Sequence, residues 1–312
     1  ATNRAIQGLF DFASRLGRSP TDVMLQIYKA KVLSVATYGC ELWGYVNITP
    51  LQIIENKFCK RLVSLPLSTP NFAVHEEMGL GYISDWIELR PLLMWLRIWL
   101  NDDLSLNRAV IRDCVKLDGR GNIAWFEHIR LGFKWLGRPD LFTNPATISK
   151  LDPRWVKETF LSRKRDARES DELLKPMVRQ SILLQTGPGI EDYLCGGVNR
   201  HHRFHLVRFR FNLFHHLLAI PEGWCRDTER PPCPCDNRSI QDIIHFLLFC
   251  PFYVHLRKRY IIPVLKEYHF SQVKPALLFL QLLPSQPIAF SVACFLAGAL
   301  RVRKSIMAGC CF

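Results

Sequence analysis

Apolar positions recur at helical spacing through the first hundred residues. Leu51, Ile54, Phe58 and Leu62 fall three or four apart, which puts them on one helix face and leaves Lys57, Lys60 and Arg61 elsewhere. Thr49-Pro50-Leu51-Gln52 opens this run as a capping box with proline at the first helical position. Ser19-Pro20-Thr21-Asp22 is built the same way: a capping serine, a proline and an acid in the first turn. Another helix is expected from about 85 to 100, rich in Trp86, Trp95 and Trp99, with Pro91 bending or restarting it. Arg, Lys, Asp and Glu mix closely over 154–179, which predicts an exposed helix laced with ion pairs. Gly and Pro thicken from Gly119 to Pro153, and Gly187-Pro188-Gly189 with Gly196-Gly197 reads as a linker. No internal repeat is visible and strand patterns are scarce, so the fold class is mainly α.

Composition narrows this picture. Of 312 residues, 48% are hydrophobic and 22% charged, which argues against a chain disordered end to end and against collagen-like or coiled-coil fibres. The longest apolar stretch, Ile288 to Leu300, is shorter than the roughly 20 residues a spanning helix needs, so no membrane partner is expected; a hairpin over 276–300 is the weaker alternative. Eleven cysteines are an odd number and no signal peptide opens the chain, which favours reduced thiols or a metal site over a disulfide scaffold. The chain begins at Ala1 and reads as helix at once, as a piece of a longer protein would.

The formal charge of +13 is unevenly spread. Basic and acidic side chains number 10 and 8 over residues 1–100, 23 and 19 over 101–250, and 8 and 1 over 251–312; from Tyr193 to Pro221 there is no acid. Positive potential building toward the C-terminus suits a surface that meets polyanions, the plain alternative being a solvated basic face. Within the acid-free run, Arg200, Arg203, Phe204, Arg208 and Arg210 interleave arginine with aromatics, a combination that pairs with phosphate and stacks on bases. The same stretch equally describes a helix burying Phe204, Val207, Phe211 and Phe214, with a wet basic side. Arg257, Lys258 and Arg259 follow as a second basic cluster, and the basic face of Lys57, Lys60 and Arg61 is open to the same two interpretations.

The sharpest chemistry is Cys233-Pro-Cys235, His245 and Cys250 within eighteen residues. Three thiolates and an imidazole suit tetrahedral zinc, and the last pair has the His-x4-Cys spacing of zinc knuckles. Four protein ligands would close the shell, so the expected site is structural. The alternative is a satisfied core histidine among buried cysteines, and Cys225 can replace one of the tight first pair.

Catalytic patterns are missing. Asp102-Asp103 is the only Asp-Asp pair, follows a helix-like run, and lacks the further carboxylates that two-metal nucleotidyl transfer requires. Glu267 is the sole acid after Cys250, which argues against a hydrolytic nuclease there. There is no Gly-rich phosphate loop, and Cys40, Cys59 and Cys114 lack an activating motif.

Ala36-Thr-Tyr38-Gly39-Cys-Glu41-Leu-Trp43-Gly44, the capped helix with Phe58 to Leu65, and Glu77-Met-Gly79-Leu80 resemble the segment after the polymerase palm in reverse transcriptases of non-LTR (LINE-like) retrotransposons. Arg208 to Phe214, then Cys233-Pro-Cys235, His245, Cys250-Pro251, Tyr253 and Arg257, resemble the C-terminal knuckle region of the same polyproteins, in the same order. The resemblance implies a thumb-like helical domain over 1–100, a helical linker region over 101–190, a basic helix with a CCHC-type zinc knuckle over 191–262, and a basic helical segment over 263–312. It implies zinc as cofactor, RNA or DNA as partner, upstream fingers and palm supplying the polymerase active site, and nuclear and cytoplasmic residence. The fragment itself is then not an enzyme, although its parent would be an RNA-directed DNA polymerase. Cys-x-Cys in place of the commoner Cys-x2-Cys departs from the family. A domesticated helical protein-interaction module with a purely structural zinc is the alternative.

Overall fold

The computed structural model describes residues 2–15, 20–100, 106–117, 123–144, 147–148, 151–172, 189–195, 199–211, 232–238, 245–267 and 286–307. These are mainly α-helical, as the periodicity predicts; no strand forms among them, and Met78 and Ile190 make an isolated antiparallel bridge. Two compact units interleave along the sequence: Ala1–Phe12, Gln26–Phe58 and Gly81–Leu173 form one, and Ala13–Leu25, Cys59–Leu80 and Leu174–Phe312 the other. Among the described residues no helix is long and apolar enough to cross a membrane.

The first unit is organised on the helix Ile83–Leu100. It buries Leu89, Leu92, Trp95 and Leu96 against Phe126, Ile129 and Phe133 of Ala124–Trp135 and against Val156 and Phe160 of Pro153–Glu172. Trp95 is fully buried, so its indole N–H needs an acceptor, and it donates to the carbonyl of Leu141 at 2.9 Å. Of the two expectations at Pro91, a bend or a restart, the restart does not occur, and the helix is continuous. Proline removes the donor that would bond the carbonyl four residues back, that of Ile87. Gly44 packs there so closely that a Cβ would stand 2.5 Å from that oxygen. Residues 124–172, expected as linker, thus supply most of one core.

One local expectation is corrected. Gln52 does not close a capping box on its own helix, Thr49–Leu62: Asn47 Oδ1 accepts from the Thr49 amide at 3.0 Å, while Gln52 Oε1 accepts from the Ser84 amide at 3.2 Å. Pro153–Glu172 is largely exposed and carries ion pairs, as expected, and two of them reach the helix Ile83–Leu100: Lys164 meets Glu88 at 2.5 Å, and Arg168 forks onto Asp85 while lying 4.0 Å above the Tyr82 ring. Residues 173–179 lie outside the described residues.

The second unit is organised on Gln286–Met307, which buries Ile288, Val292, Phe295, Leu296 and Ala299 and packs against Arg200–Arg210 and Arg257–Ile261. Asn199 caps Arg200–Arg210 by accepting from the His202 amide at 2.9 Å. The described part of the expected linker is docked: the Glu191 amide bonds the carbonyl of Glu77, and Tyr193 and Leu194 are buried. Gly187, Pro188, Gly196 and Gly197 lie outside the described residues.

Candidate metal centre

Cys233, Cys235, His245 and Cys250 come together, with one ligand atom from each lying within 4.8 Å of the others. Cys233 and Cys250 Sγ are 3.7 Å apart, and Cys235 Sγ is 3.3 Å from His245 Nε2. Cys233 and Cys250 are buried, whereas Cys235 and His245 are half-buried. This set can hold a metal ion. Cys225, the proposed substitute ligand, lies outside the described residues.

Local backbone chemistry explains the convergence. After Cys233 the chain turns through amides of Asp236 and Asn237 that both bond the Cys233 carbonyl, with Asn237 at φ 52°, a region asparagine tolerates. His245 opens a π-helical turn, His245–Phe249, and the Cys250 amide closes it on the His245 carbonyl at 2.7 Å. That five-residue bond is what His-x4-Cys spacing delivers. Pro251 then starts a short 3₁₀ turn, Pro251–Tyr253. Behind the centre Phe246 meets Tyr253 at 4.9 Å and Phe295 at 5.7 Å between ring centroids. Burial pushes the Cys235 and Cys250 thiols above their usual range; the neighbouring sulfurs push Cys235 the same way, whereas at Cys250 the Phe252 amide and Cys235 pull down and Cys233 pushes up.

The basic residues separate by environment. Arg257 is buried and donates to the carbonyls of Phe246, Leu247 and Cys250, so it holds the ligand loop and has no face for phosphate. Arg210 is buried between Glu77, at 2.5 Å, and Glu191, at 3.5 Å, with Tyr193 donating to Glu77. Lys60 is buried and gives its ammonium to the Leu67 carbonyl at 2.7 Å. For these three the expectation of a nucleic-acid contact is corrected, because each is desolvated against partners of its own chain. Arg203 is half-buried and bonds Thr21 Oγ1 at 2.8 Å and the Leu194 carbonyl at 3.3 Å.

Lys57, Arg61, Lys258 and Arg259 are exposed, and half-buried Arg208 lies 4.2 Å above the ring of half-buried Phe204. The side chain of Arg200, together with Asp102, Asp103 and Phe214, lies outside the described residues. Arg301, exposed on Gln286–Met307, acts electrostatically on His205 of Arg200–Arg210 and joins the basic side; only the basic excess of the tail announced it.

In comparisons with protein-family models, curated proteins and solved structures, nothing matches the chain.

Proposed function

We propose that the chain is a nucleic-acid-binding C-terminal region of a non-LTR reverse transcriptase, in which one structural zinc ion folds a knuckle beneath a basic surface. The observation that carries this reading is the four-ligand cluster. A tetrahedron with zinc–sulfur bonds of 2.3 Å has a sulfur–sulfur edge of about 3.8 Å and a sulfur–nitrogen edge of about 3.6 Å. The corresponding separations here are 3.7 and 3.3 Å, reached without a disulfide. Cys233, Cys235, His245 and Cys250 would hold the ion and leave no position for an activated water, so zinc supplies folding energy and no catalysis.

RNA or DNA is the partner that the charge favours. The exposed or half-exposed cations of this unit near or beside the knuckle helices include Arg208, Lys258, Arg259 and Arg301. If these four neutralise four phosphates of a single strand, log affinity falls against log salt with a slope of about −3. Arg208→Ala or Arg259→Ala should weaken binding across sequences and flatten that slope by under one. Arg210→Ala should affect binding only together with loss of helix, because it strands two buried carboxylates. Titration of labelled single-stranded RNA at several salt concentrations checks both. Affinity indifferent to salt and to Arg208 and Arg259 would favour the second reading, a helical protein-interaction module. One observation speaks for that reading: Tyr38 is 86% and Leu42 62% exposed, beside exposed Val46.

A further inference from the structure

We propose a second metal site, on the helix Arg200–Arg210, in which Nε2 of His201 and Nε2 of His205 chelate one late first-row transition-metal ion such as nickel(II), copper(II) or zinc(II). It is independent of the cysteine-rich centre and of the nucleic-acid reading. The two histidines are four residues apart, so they stand one above the other on the same helix face. Their Nε2 atoms are 3.2 Å apart and their rings edge-to-face at 4.5 Å between centroids. With metal–nitrogen bonds of 2.0–2.1 Å, that separation corresponds to a nitrogen–metal–nitrogen angle of about 100°, between the tetrahedral and square-planar values. The pair is therefore already at chelating distance, and no rotamer change of either element is required.

Exposure is divided usefully between the two rings. His205 is 7% exposed and fixed in the packing, whereas His201 is exposed and leaves the remaining coordination positions to water. Burial, with His201, His202, Arg208 and Arg301 as charged or titratable neighbours, pushes His205 down to about 4, so at neutral pH its ring is uncharged, the form a metal takes. Without metal, one Nε2–H donates to the other nitrogen. Binding requires both protons on Nδ1, and Nδ1 of His205 has no hydrogen-bond partner among the described residues, so the tautomer change breaks no bond on that side.

Arg208 and Arg301 oppose a cation here. Two nitrogens against that field give a weaker site than four ligands, and one that takes borderline nitrogen-seeking metals over magnesium or calcium. His202 is not part of it: its Nε2 faces Cys294 Sγ at 4.0 Å, and its ring is 6.0 Å from that of His201.

The test uses the full chain with one equivalent of zinc already bound, titrated with nickel(II) by calorimetry. One further equivalent of nickel should bind, magnesium should not, and His201→Ala should weaken the nickel event at least tenfold. His201 is exposed, so an unchanged melting midpoint without nickel certifies that the variant is folded. His202→Ala should leave nickel binding as it was. The proposal is overturned if no second equivalent binds, if His201→Ala binds nickel within threefold of the parent, or if His202→Ala loses it as fully as His201→Ala.

Discussion

Glu55 carries the strongest conflict between a side chain and its surroundings. It is 1% exposed, and its carboxylate accepts from Tyr28 OH at 3.1 Å, Gln52 Nε2 at 3.0 Å and the Ile83 amide at 2.8 Å. Burial, aided by the Asp85 charge and opposed by these hydrogen bonds, pushes it up from 4.5 to about 7. An acid raised in this way holds its proton more tightly when folded. The resulting stability is complete below the unfolded value of 4.5 and is lost as pH rises through about 7. Across that window the loss is on the order of 3 kcal/mol. Glu55→Gln keeps the shape and an acceptor for Ile83 without a charge to bury. Its melting midpoint should exceed that of the parent at pH 8 and match it at pH 4; the same displacement at both pH values would exclude Glu55 as the titrating group.

Elements were legible where their determinants are local. Periodicity and proline punctuation found the helices Thr49–Leu62, Ile83–Leu100 and Arg200–Arg210, and eighteen residues held all four ligands of the centre. What the sequence hid depends on distant partners. Arg210 reads as one more arginine in a basic run, yet its counter-ions are 133 and 19 residues away, Glu77 and Glu191, so composition gives its sign and not its direction. Gly79 is a second case. At φ +55° it sits in the left-handed region, and a Cβ there would be 2.2 Å from the carbonyl carbon of Gly189, which needs the bridge between Met78 and Ile190 to be known. Gly137 is also left-handed, at φ +76°, but has open space around it. Gly137→Ala should therefore cost only the conformational penalty of about 1–2 kcal/mol. Gly79→Ala adds a backbone collision and should lose at least about 1 kcal/mol more. Denaturant midpoints of the two variants check this; equal losses would mean that the approach of Gly189 is not rigid.

At the scale of the whole molecule, the two units are held by different means. The first has a continuous aromatic core around Trp95, in which Trp95 meets Phe142 at 4.9 Å and Trp99 at 5.5 Å between ring centroids, and no cysteine or histidine ligand set among its described residues. The second carries the metal-ligand cluster, and the helix Gln286–Met307 rests on the same rings, Phe246 and Tyr253, that back those ligands. Metal binding to such a closed set is folding free energy, because the unfolded chain has no preformed site. If the cluster holds a structural ion, removing it would leave three close sulfurs without the cation that reconciles them, so the loop from His245 to Cys250 and then Gln286–Met307 should open first. Amide hydrogen exchange followed before and after a strong chelator tests this on the intact chain. Protection at 246–261 and 288–300 should fall by tenfold or more, while protection at 89–96 and 126–133 stays within twofold. A uniform loss would mean that the metal stabilises one cooperative whole. Unchanged protection throughout would mean that these four ligands do not hold a structural ion.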